Sequence, residues 1–237
     1  MATVILARHG RTAANATGVL AGRSKGIHLD DTGTAQARAA AERLAGLDLA
    51  LVVSSPLERC RETARLLAPR TRAVSDRRLL ECDYGDWTGQ ELKRLSKDKL
   101  WRTVQAQPSA ARFPGGESLQ EMSARAVAAV RDRDAAVAAE SGDHAVWVAV
   151  SHGDVIKAIL ADALGMHLDA FQRIAVDPGS LSVVRYTPHR AFVLTMNSGA
   201  GSLAHLAAKP RKRRTRSSDA VVGGGAGPVA PKASATS

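Results

Sequence analysis

The apolar positions of this chain follow two rhythms. Short unbroken apolar runs alternate with longer stretches in which small and apolar residues recur at helical spacing. Residues 3–7 (Thr-Val-Ile-Leu-Ala) and 49–54 are short apolar runs of strand length. Each predicts a buried strand, and so does 144–150. Residues 71–75 predict a further short strand. Asp31-Thr32-Gly33 opens a helical stretch to about Ala45, with Asp30 or Asp31 as its N-cap. Pro56 fits the first turn of a helix running to about Ala68, because its missing N–H costs nothing there. Residues 91–102 predict a short charged helix. Residues 117–140 predict an Ala-rich helix starting near Ser118, and 153–164 a helix ending at Gly165. Residues 76–90 and 105–116 are turn-rich. Residues 180–186 and 191–196, joined by Thr187-Pro188-His189, predict a hairpin. Strands alternating with helices argue for an α/β fold, a three-layer α/β/α arrangement around a mostly parallel central sheet.

Charge divides the chain in two. Of the formal +10, residues 1–208 carry only +4; the rest sits in a tail with seven cations against Asp219 alone. That tail is rich in Ala, Gly, Pro and Ser and has no apolar periodicity. Its composition cannot bury enough surface to offset its ordering entropy. The expected organisation is therefore a folded domain over 1–205 and a disordered basic tail over 206–237. The run Lys209 to Arg216 has the charge to attract nucleic acid. No aromatic residue interleaves it for base stacking, so a nucleic-acid partner is not expected beyond this tail. No apolar stretch reaches 18 residues, which argues against a membrane span. The N-terminus lacks the basic start of a secretory signal. Two cysteines, Cys60 and Cys82, form neither a disulfide framework nor a metal-ligand spacing, and read as small packing residues. Together these features predict a cytoplasmic protein.

In open α/β sheets, ligands bind at the carboxyl ends of the strands. The strand ends here read Arg8-His9-Gly10, Ser54-Ser55-Pro56 and Ser151-His152-Gly153. Two separate strands end in His-Gly, and the first His follows an Arg. Arg59, in the first turn after the second strand, can point back at the strand ends. Two arginines, two imidazoles and a helix N-terminus describe an anion site, most naturally one for phosphate.

These residues resemble the signature of the histidine phosphatase superfamily, the phosphoglycerate mutase-like family. The first block is Arg8-His9-Gly10-Arg11-Thr12-Ala13-Ala14-Asn15. The second is Ser54-Ser55-Pro56-Leu57, Arg59 and Glu62-Thr63-Ala64. The third runs from Glu81 to Gly89, and the fourth is Ser151-His152-Gly153. Leu29-Asp30-Asp31-Thr32-Gly33, with Gln36-Ala37, fits as well. The blocks fall in the family's order, and the resemblance covers about residues 2–197.

The resemblance implies a phosphoglycerate mutase-like fold and a metal-independent enzyme with no cofactor, acting on a small phosphorylated substrate. It implies His9 as nucleophile, Glu81 as proton donor, and Arg8, Asn15, Arg59 and His152 around the phosphate. Glu81 has rivals in Asp83 and Asp86. Glu62 is expected to hold Arg8 or Arg59, or to pair at a sheet edge. Tyr84 and Trp87 are expected to pack a loop. His28, His144, His167, His189 and His205 lack a matching context. Gly85-Asp86-Trp87-Thr88-Gly89 resembles the phosphatase branch. The mutases usually carry Arg-His where this chain has Cys82-Asp83, and those cations help hold a doubly phosphorylated cofactor. Hydrolysis is therefore the expected activity, with mutase-type phosphoryl transfer, or non-catalytic binding of phosphate or nucleic acid, as the alternative. The basic start of the insert between Gly89 and Glu117 (Lys93, Arg94, Lys97, Lys99) hints at further negative charge on the substrate. A homo-oligomer is compatible with the family.

Overall fold

The computed structural model describes residues 1–199 together with Val222, Gly223 and Gly225. The expected disorder of 206–237 otherwise concerns residues outside that description. The strands are β1 (Thr3–Arg8), β2 (Leu49–Ser54), β3 (Val74–Ser75), β4 (Val146–Ser151), β5 (Leu181–Tyr186) and β6 (Ala191–Ser198). The helices are α1 (Ala13–Thr17), α2 (Asp31–Arg43), α3 (Glu58–Leu67), α4 (Leu92–Leu95), α5 (Lys99–Ala106), α6 (Leu119–Ser141) and α7 (Gly153–Ala163). One sheet carries all six strands in the order β3-β2-β4-β1-β5-β6. The first four run parallel; β5 pairs antiparallel with β1, and β6 pairs antiparallel with β5.

The central strands are apolar on both faces because both faces are covered. Val4 and Leu6 of β1, with Trp147 and Ala149 of β4, enter one core with residues of α6 and α7. Ile5 and Ala7, with Val148 and Val150, enter a second core with residues of α2 and α3. The period of two thus sorts one continuous run into two cores and three layers. Among the described residues, no helix is long and apolar enough to cross a membrane.

Local rules set most helix starts. The Asp30 carboxylate accepts from the Gly33 N–H at 2.7 Å and caps α2. Ser118 and Glu121 form a reciprocal capping box at α6. Two expectations need correction. Pro56 lies outside α3, which begins at Glu58 after Leu57 turns in extended conformation. The charged segment 91–102 is two helices, because Asp98 caps a fresh start at α5, its carboxylate accepting from the Leu100 N–H.

Asp134 of α6 is fully buried and fastens the first residues of the chain. It accepts from the Ala2 N–H at 3.0 Å and from the Trp147 indole at 3.1 Å. Asp134→Ala would strand two buried donors and leave a void. The expected cost is roughly 2–4 kcal/mol, read from the urea midpoint. A change below 0.5 kcal/mol would show that these bonds do not matter to stability.

Candidate active site

The ladder that joins β1 to β4 determines where the two histidines meet. Arg8 is registered with Ser151, the last pair of the parallel ladder. His9 and His152 follow that pair on neighbouring strands. Their rings stand edge to face with centroids 5.3 Å apart. On the other side, Ser54 of β2 is registered with Val150. That brings Ser55 to His152, with Oγ 2.8 Å from Nε2. Gly10 and Gly33 let the chain leave β1 against the start of α2. A Cβ on Gly10 would lie 2.2 Å from the Gly33 carbonyl oxygen, so neither position admits a side chain without movement.

The hydrogen bonds fix both ring tautomers. His9 Nδ1 is 2.7 Å from the Gly10 carbonyl oxygen, which can only accept, so Nδ1 carries the proton. His9 Nε2 faces Arg59 Nε at 3.3 Å, a group that can only donate, so Nε2 presents its lone pair. His152 has the reverse arrangement. Its Nδ1 accepts from Arg59 Nη2 at 3.2 Å, and its Nε2–H donates to Ser55. Burial first, and the Arg59 charge second, hold both imidazoles well below their ordinary pKa. Both rings are neutral at pH 7.

Arg59 projects from the first turn of α3 and is 2% exposed. One amino group donates to the Gly22 carbonyl at 2.7 Å, while Nη1 is buried without a hydrogen-bond partner. A charged donor kept out of water and unmatched is a provision for an anion. Arg8 is fully buried at the end of β1 and donates to the Val176 carbonyl at 2.7 Å. Asn15 lies in α1, a one-turn helix absent from the expected elements. Its side-chain oxygen closes the capping box with Thr12.

Glu81, not Asp83 or Asp86, is the buried carboxyl of the third block. Burial and then the charge of Asp154 push it up to about 7, against the Cys82 N–H, Arg59 and Arg8. Its main chain is gripped by groups that no local pattern singles out. Arg125 of α6 donates to the carbonyls of Arg78, Leu80 and Glu81, at 2.6, 2.8 and 3.1 Å. Arg23 donates to the Glu81 carbonyl at 2.9 Å. Glu117 ties both arginines together and accepts from the Asp83 N–H. These contacts span up to 94 residues of sequence, so no local motif could have found them.

Two smaller expectations change. Glu62 holds neither arginine; it pairs with His28 and accepts from the Leu29 N–H at 2.9 Å. His28 thus has a context that it lacked in the sequence. Tyr84 and Trp87 do pack a loop, each edge to face with Phe113. Cys60 is buried with Sγ 3.5 Å from His152 Nε2, and burial pushes its thiol up to about 12. Among the described residues, no group of three or more His, Cys, Asp or Glu is placed to hold a metal ion.

Comparison with known proteins gives three results. The profile of the histidine phosphatase superfamily, branch 1, matches residues 4–199. A protein of Enterobacter sp. (strain 638), named probable phosphoglycerate mutase, is 32% identical over 214 residues, covering 87% of this chain and 95% of that one. Among solved structures, the alpha-ribazole phosphatase from Shigella flexneri superposes with a TM-score of 0.71 at 26% identity, covering 83% of this chain and 96% of that one. A mycobacterial glucosyl-3-phosphoglycerate phosphatase gives 0.73 at 26% identity, covering 83% and 99%.

Proposed function

Because the chain belongs to the histidine phosphatase superfamily, branch 1, we propose that it hydrolyses phosphomonoesters of small metabolites. The route is a phosphohistidine on His9, with Glu81 as proton donor. The observation that carries this reading is the state of His9: a neutral ring, Nδ1–H held by Gly10, and the Nε2 lone pair directed at Arg59.

In the first half, the substrate phosphate takes the place of the imidazole as the partner of Arg59. Arg8, Arg59 and Asn15 bind its oxygens; His152, released from the Arg59 contact at Nδ1 and protonated there beside the bound phosphate, adds an N–H donor. His9 Nε2 forms a bond to phosphorus as the ester P–O bond breaks in line. Glu81, protonated below about pH 7, gives its proton to the leaving oxygen. In the second half, the Glu81 carboxylate takes a proton from water. The resulting oxygen attacks phosphorus, the N–P bond breaks, and inorganic phosphate leaves. Atoms and charge balance with water as the only co-reactant.

Transfer to a second hydroxyl, as the name of the Enterobacter relative suggests, is the competing reading. Hydrolysis is favoured because Cys82 is buried and uncharged and Asp83 is a carboxylate paired with Arg23. Neither supplies a cation for a doubly phosphorylated ligand.

The full chain should release phosphate from p-nitrophenyl phosphate at a rate unchanged by a chelator. Loss of more than nine-tenths of the rate on chelation would replace this mechanism with a metal-dependent one. No release, with phosphoglycerate isomerised instead, would replace hydrolysis with transfer.

A further inference from the structure

The chain's own C-terminal segment occupies part of this site. Val222 is 1% exposed and belongs to the core that holds Leu20 and Tyr84. The Gly223 N–H donates to Asp154 Oδ2 at 2.9 Å, on the same oxygen that accepts from the Tyr84 hydroxyl at 2.8 Å. Two carbonyls then face the Arg8 guanidinium. Gly225 accepts from Nη1 at 2.9 Å, and Gly223 accepts from Nη2 at 3.4 Å. The fit is built for a residue without a side chain. Gly223 has φ +75°, and a Cβ there would meet Leu20 Cδ1 at 2.9 Å.

Peptide carbonyls carry partial negative charge and accept hydrogen bonds as phosphate oxygens do, though more weakly. Here they face the donors of Arg8, which also donates to the Val176 carbonyl. We propose that the segment carrying Val222, Gly223 and Gly225 is an intramolecular competitor of substrate, docked on Arg8 and Asp154 in the resting protein and displaced when a phosphate binds. The inference rests on the phosphate reading of the Arg8–Arg59 site. Because the segment is tethered, its effective concentration is on the order of millimolar, so even a weak contact competes with a metabolite. Release of the segment also removes one of two donors from Asp154 Oδ2, which keeps the Tyr84 hydroxyl; Asp154 is the neighbouring charge that acts on Glu81.

The test uses the full chain and two variants that unseat the segment by different means. Val222→Asp places a carboxylate in an apolar pocket, and Gly223→Val adds a branched side chain at positive φ against Leu20. Thermal unfolding of each variant controls for folding. Inorganic phosphate is titrated into all three chains by calorimetry. Binding about tenfold tighter in both variants is the expected result, with KM for p-nitrophenyl phosphate lowered to match and kcat held. A synthetic peptide of residues 219–228, added to the Val222→Asp chain, should restore weaker phosphate binding. Equal phosphate affinity in all three chains overturns the competitor, whatever the hydrolysis assay gives. Tighter binding in the variants without hydrolysis by any chain keeps the competitor and overturns the phosphatase reading. No phosphate binding by any chain overturns both.

Discussion

His9→Ala is expected to lower kcat for p-nitrophenyl phosphate by about 10⁴-fold or more, with phosphate affinity changed only a few fold. The argument starts from the ring. Nε2 offers its lone pair because Nδ1 is bound to the Gly10 carbonyl and because burial beside two arginines keeps the imidazole neutral. No described neighbour substitutes for it. His152 directs its corresponding nitrogen as an N–H donor at Ser55, and Cys60 is held as a thiol. Alanine leaves Arg8 and Arg59 in place, so binding should survive while the covalent step cannot occur. Rapid acid quench during turnover should trap phosphate on the wild-type chain, labile to acid and stable to base, and none on the variant. A variant retaining a tenth of the wild-type rate would rule out His9 as the nucleophile.

Glu81→Gln should cost about 10²- to 10⁴-fold in kcat/KM, and more for alkyl than for aryl phosphates. A poor leaving group needs the proton most. The pH dependence gives the sharper signature. The acid must be protonated in the first half-reaction, so the wild-type rate should decline above about pH 7 and hold below it, the behaviour of an enzyme with a neutral to acid optimum. Glutamine should flatten that decline. A wild-type rate still rising beyond pH 8 would remove Glu81 from the role. Stability carries the same sign. The folded pKa is raised, so the unfolded state releases its proton first as pH climbs. The wild type should lose stability relative to Glu81→Gln between about pH 4.5 and 7, and gain nothing below that window.

Much of this was readable from local pattern, for physical reasons. Residues 49–54 could be placed as a strand because a parallel strand whose second half, Val52 to Ser54, is buried has no polar face to interrupt it. The hairpin over β5 and β6 was marked by its turn. His9 and His152 could be associated because strand ends are where a parallel sheet binds ligands. The failures also have causes. Pro56 carries the geometry of a helix start, but Leu57 stays extended and delays α3 to Glu58. The break between α4 and α5 rests on one Asp98 hydrogen bond inside a uniformly charged stretch. The grip of Arg23, Arg125 and Glu117 on the Glu81 backbone joins three distant segments. It has no periodicity to betray it. The seat for Val222 and Gly223 lay hidden inside a tail whose composition reads as disordered.

The register of β1 on β4 has one more implication. The two imidazoles are neighbours because each follows the last rung of one hydrogen-bond ladder, and no loop length enters that relation. The stretch from Gly89 to Glu117, between β3 and β4 in the chain, contributes no strand to the sheet. Insertions and deletions there can reshape what enters without disturbing the distance between the reacting rings. In an evolving lineage, such a frame separates inheritance of the chemistry from invention of the specificity. A change of substrate then requires rebuilding of the rim alone.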